Sequence, residues 1–121
     1  MTAHEVLRLE VRDTAGVFAA RQLGRAVAAE LGLERQDQVR VATALSEVGR
    51  ELVLAGVDAV VVFLAEPRLL TIRVEHAGSP PAAALAAVAR LMDRAEHDGA
   101  AVVLAKQRPP GRRSDRSKSV V

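Results

Sequence analysis

Leu7, Leu9 and Val11 alternate with Arg8, Glu10 and Arg12, which predicts a strand over His4 to Val11 with one buried and one polar face. Asp13 or Thr14 can cap a following helix, predicted from about Ala15 to Leu31. Its apolar side carries Val17 or Phe18, then Ala20, Leu23, Val27 and Leu31, and Gly32 is a natural stop. A second helix is predicted from Arg35 to Ala55, where Val41, Leu45, Val48, Leu52 and Ala55 recur at three- and four-residue steps. Gly56 closes it. Two strands follow, Ala59–Ala65 and Leu69–Glu75, joined by Glu66-Pro67-Arg68 as a hairpin. The nearly unbroken apolar run Val60 to Leu64 predicts a central strand.

His76 to Pro81 reads as a loop by its Gly and Pro content. Ala82 to Arg94 is predicted as an Ala-rich helix with Leu85, Val88, Ala89 and Met92 on one side. His97-Asp98-Gly99 then turns the chain into a last strand, Ala100–Gln107. The order β-α-α-β-β-α-β points to an α/β two-layer sandwich of the α+β kind, with a mainly antiparallel sheet and helices on one face. Residues 1–107 form the expected domain. From Arg108 onward Pro, Gly, Arg, Ser and Lys dominate, predicting a disordered basic tail over 108–121.

Composition narrows the chemistry. The 121 residues suit one domain. Two Phe, no Trp and no Tyr mean a core of Ala, Val and Leu, and argue against a base-stacking nucleic-acid surface. The absence of Cys excludes disulfides and thiolate metal sites. No apolar stretch is long enough to span a bilayer, and the first residues lack the pattern of a signal peptide, so a cytoplasmic protein is expected. The net charge of +2 resides in the tail: setting aside residues 108–121 leaves 12 basic and 14 acidic side chains. Nucleic-acid binding would rest on that tail alone.

Two stretches carry a resemblance. Ala20-Arg21-Gln22-Leu23-Gly24-Arg25, followed by Asp37-Gln38-Val39-Arg40-Val41-Ala42-Thr43-Ala44-Leu45-Ser46-Glu47, is similar to the anti-sigma factor and switch-protein serine kinases of bacterial partner-switching systems. Those kinases share the Bergerat (GHKL, histidine-kinase-like) ATPase fold. The likeness spans roughly residues 4 to 107 and is most specific in the second helix. It implies ATP and Mg²⁺ as cofactors and Glu47 as the catalytic base. It also implies nucleotide contacts at Glu51, His76 and Gly78. The implied partners are a STAS-type antagonist, a sigma factor or a phosphatase module, with pairing into a homodimer.

The sequence departs from the family pattern at several of these contacts. Glu51 stands four residues after Glu47, where the family has the Asn that helps hold Mg²⁺; an anionic oxygen also suits Mg²⁺. His76 replaces the Asp that accepts from the adenine amine, and an imidazole differs from a carboxylate in reach and direction. Gly78 is retained, but Pro80 replaces the next Gly, removing an N–H and fixing φ. The Gly-rich lid is expected as a mere turn over Glu96 to Ala100, with few donors left for the phosphates.

Several readings stand open from sequence. One is a regulatory, partner-binding domain with weakened or lost serine kinase activity. Another is an active ATP/Mg²⁺-dependent protein serine/threonine kinase with Glu47 as base and Glu51 on Mg²⁺. A third is a purely oligomeric role through the edge of the first strand. Glu47 and Glu51 also read as solvated surface acids paired with Arg40 or Arg50. With His76 they would suit Zn²⁺ or Mn²⁺ if the fold brought loop and helix together. His4 and His97 read as exposed terminal or loop histidines. Gly24 and Gly49, inside helices, read as sites of close helix packing.

Overall fold

The computed structural model describes residues 3–78 and 82–109. Along the chain run β1 (His4–Val11), α1 (Thr14–Glu30), α2 (Arg35–Leu54), β2 (Ala59–Ala65), β3 (Leu69–His76), α3 (Ala82–Val88), β4 (Arg94–Asp98) and β5 (Ala101–Gln107). The five strands form one antiparallel sheet in the order β1-β2-β3-β5-β4. Ala59, Val61 and Phe63 of β2, Leu70, Ile72 and Val74 of β3, and Val102 and Leu104 of β5 share one core with the buried sides of all three helices. These residues alternate along their strands, so one sheet face carries the helix layer. The opposite face carries ion pairs such as Arg73 with Glu75 and Asp98.

Local chemistry sets the boundaries. Asp13 caps α1, its carboxylate accepting from the Gly16 N–H at 2.9 Å. Gly32 ends the α1 segment at φ 88° and Gly56 the α2 segment at φ 74°, conformations that favour glycine. Glycines also bring the two helices together. A Cβ on Gly24 would lie 2.3 Å from Leu45 Cδ1, and one on Gly49 would lie 3.3 Å from Val17 Cγ2. This antiparallel pair therefore sets the N-terminal half of α1 beside the C-terminal half of α2.

The C-terminal third departs from the pattern-based expectation. The helix predicted over Ala82 to Arg94 stops at Val88, and Arg94 to Asp98 form β4, paired with β5 from Arg94↔Ala105 to Asp98↔Ala101. Glu96 to Ala100, expected as the remnant of a lid, are instead the end of β4 and the hairpin turn, with Gly99 at φ 60°. The apolar β2 is internal, yet β3 holds the middle of the sheet. Arg108, assigned to the tail, is tied down: its guanidinium donates to the carbonyls of Leu31 and Glu66, and its N–H to that of Arg68. Residues 79–81, with Pro80, and 110–121, most of the expected tail, lie outside the described residues.

Candidate functional site

Helix α2 presents Glu47 on its solvent side, one turn from Arg50. The Arg50 Nη2 lies 2.9 and 3.0 Å from the two carboxylate oxygens, and the Glu47 side chain is 33 % exposed. A general base needs an oxygen within hydrogen-bond reach of the proton it takes. Here both oxygens already accept from the same guanidinium. Glu51, half-buried and one turn further on, makes no side-chain hydrogen bond or ion pair among the described residues. It is therefore the less encumbered of the two acids.

His76 ends β3 on the helix-facing side of the sheet, in phase with Ile72 and Val74, and is 6 % exposed. Its Nδ1 lies 3.0 Å from the Ala77 carbonyl. A carbonyl only accepts, so in the neutral ring Nδ1 carries the proton and Nε2 is left as an acceptor. That Nε2 is buried without a partner among the described residues. The ring stacks on His97, with centroids 5.5 Å apart and planes 16° from parallel. His97 is thus a strand residue against the site, not a loop histidine. The register explains the approach: His97 of β4 faces Val102 of β5, which faces Val74 of β3, two residues from His76.

Gly78 has φ 74°, and among the described residues a Cβ there would meet nothing within 4 Å. Conformation, rather than close approach of another group within the domain, accounts for the glycine. Among the described residues no group of three or more His, Asp or Glu is placed to hold a metal ion. Glu47, Glu51 and His76 are therefore not assembled into a Zn²⁺ or Mn²⁺ site.

Two features escaped the reading of the sequence. Beside Glu47, a cleft of about 190 Å³ opens between the helices, lined by Thr14, Val17, Ser46, Glu47, Arg50, Val53 and Leu54. At the far end of the sheet Lys106 is 8 % exposed, its Nζ 3.0 Å from the Leu91 carbonyl, 3.5 Å from Asp93 and 3.6 Å from Asp37. The signal for the second was present: Lys106 is in phase with buried Val102 and Leu104.

A stretch of 38 residues is 55 % identical to the serine/threonine-protein kinase RsbT of Bacillus subtilis (strain 168), covering 31 % of this chain and 29 % of that protein. No family model matches the sequence. The likeness is confined to that stretch, and the match spans less than a third of that relative's length. No helix among the described residues is long and apolar enough to cross a membrane.

Proposed function

We propose that this domain is a regulatory, partner-binding module of the anti-sigma and switch-kinase type on a Bergerat-like scaffold, with weakened or lost ATP-dependent serine kinase activity. The observation that carries this reading is the closure of the Glu47 carboxylate onto Arg50. That ion pair occupies one acceptor position on each carboxylate oxygen and holds the group along the helix, leaving a partner's hydroxyl only the remaining exposed side to approach. The inward-turned His76 adds to it, because its Nε2 is sealed from solvent where an adenine contact would need an open acceptor. Fold outliving chemistry is common. Partners of this reading are a STAS-type antagonist, a sigma factor or a phosphatase module.

Calorimetric titration with Mg²⁺-ATP tests the reading. Flat heats up to millimolar nucleotide support a module without a working site. A saturable isotherm of micromolar order, about −8 kcal/mol, overturns it.

The likeness to RsbT favours a second reading, an active protein serine/threonine kinase. Glu47 would then take the proton of the partner's hydroxyl, and Glu51 would help hold Mg²⁺. Phosphate transfer to a STAS-type protein, abolished by Glu47→Ala in a folded sample, would establish it. Transfer unchanged by that substitution would remove Glu47 from the chemistry.

A further inference from the structure

We propose that the solvent-side groove between α1 and α2 is the docking site for an acidic amphipathic helix of a protein partner. This deepens, and rests on, the reading of the chain as a binding module. Thr14, Phe18, Arg21 and Arg25 fall at steps of four, three and four along α1 and so share one face. Val39, Ser46, Arg50 and Val53 do the same on α2 at steps of seven, four and three. Thr14 meets Ser46, Arg50 and Val53 in the 190 Å³ cleft, so both stripes flank one groove.

Leu54 lines the cleft, and Phe18 and Val39 are exposed on the two helix stripes beside it. Phe18 is 60 % exposed, Leu54 75 % and Val39 42 %, although Phe18 is one of only two aromatic residues in the chain. Exposed aromatic and aliphatic groups beside a pocket are the usual anchors of an interface. The cleft is smaller than the roughly 300–1,000 Å³ typical of small-molecule sites, so it suits an inserted side chain rather than a cofactor.

Charge identifies the occupant. Arg21 and Arg25 are exposed and make no ion pair among the described residues. The acid lining the cleft, Glu47, is already covered by Arg50. A partner helix bringing apolar side chains at i, i+3, i+4 and i+7, with carboxylates beside them, would fill the cleft and pair with both arginines. The concave, two-helix geometry favours such a helix over a flat lipid surface.

The test is an NMR titration of the full ¹⁵N-labelled chain with three synthetic helical peptides. All carry the same Leu stripe, with the remaining positions filled by Glu, Gln or Lys. The Glu peptide is expected to bind about tenfold or more tighter than the Lys peptide, shifting amides of Val17, Phe18, Ser46, Val53 and Leu54. Phe18→Asp, at an exposed position, is expected to lose that binding with its melting temperature kept. Arg21→Glu with Arg25→Glu is expected to reverse the charge preference. Equal affinity for Glu and Lys peptides overturns the proposal, as does an absence of groove shifts at millimolar peptide. So does perturbation of these residues by phosphatidylserine vesicles but not by the Glu peptide. Nucleotide binding is read from heat with ATP and helix binding from amide shifts with peptide, so, although Glu47 borders both sites, a failure there and a failure here are told apart.

Discussion

The imidazole of His76 lies against that of His97, with ring centroids 5.5 Å apart, and its Nε2 is buried without a partner among the described residues. Two strands that are not neighbours, β3 and β4, are bridged there across the end of β5. An unmet buried acceptor costs about 1–3 kcal/mol, which a ring of similar shape without that atom does not incur. His76→Phe is therefore expected to leave the melting temperature unchanged or raise it, despite losing the bond to the Ala77 carbonyl. Destabilisation by more than about 1 kcal/mol in urea would show that Nε2 is satisfied in solution.

Glycine at 24 and at 49 serves the same helix pair with unequal tolerance. Ala at either position gains about 1 kcal/mol of helix propensity. At 24 the added carbon would sit 2.3 Å from Leu45 Cδ1, forcing a buried side chain to move, whereas at 49 it would sit 3.3 Å from Val17 Cγ2. Overpacking of the first kind costs about 1–3 kcal/mol. Gly24→Ala is expected to be destabilising and Gly49→Ala close to neutral in urea denaturation.

How far the sequence revealed this fold depended on the periodicity available. Both long helices and β1 to β3 were legible to within a residue or so, because Leu7-Leu9-Val11 and the α2 stripe repeat at strand and helix spacing. Strand β4 was not. Arg94-Ala95-Glu96-His97-Asp98 is a charged edge strand with Ala95 as its half-buried position, and it follows an Ala-rich helix without a breaker. The candidate site residues came from the resemblance, and the structure supplies only their surroundings. The Glu47–Arg50 pair was anticipated as a local i, i+3 contact, whereas the stacking of His76 on His97 depends on strand order, which no local pattern encodes.

Lys106 holds the end of β5 to the start of α2 and to the segment before β4. Lys106→Met keeps the apolar stem but leaves the Leu91 carbonyl unpaired and Asp37 and Asp93 without their shared cation. Both aspartates are partly exposed, which moderates the penalty. A loss of roughly 1–3 kcal/mol is expected in urea denaturation. A neutral result would mean that the cluster is solvated in solution.

Glu47 contributes little to stability in this account. Its partner is three residues along an exposed helix face, where such pairs are worth about 0.3–0.5 kcal/mol. Glu47→Gln is expected to change the unfolding free energy by no more than about 0.5 kcal/mol. A larger loss would assign Glu47 a structural role and complicate any activity assay based on it.

Loss of the nucleotide site implied by the resemblance is read most directly at the amides of Glu51, Ala77 and Gly78. A ¹H–¹⁵N titration of the full chain with ATP, with and without Mg²⁺, follows them residue by residue. No saturable shifts are expected at these three amides up to millimolar nucleotide. Saturable, Mg²⁺-dependent shifts there, with a dissociation constant of micromolar order, would contradict it and return the domain to the active kinases.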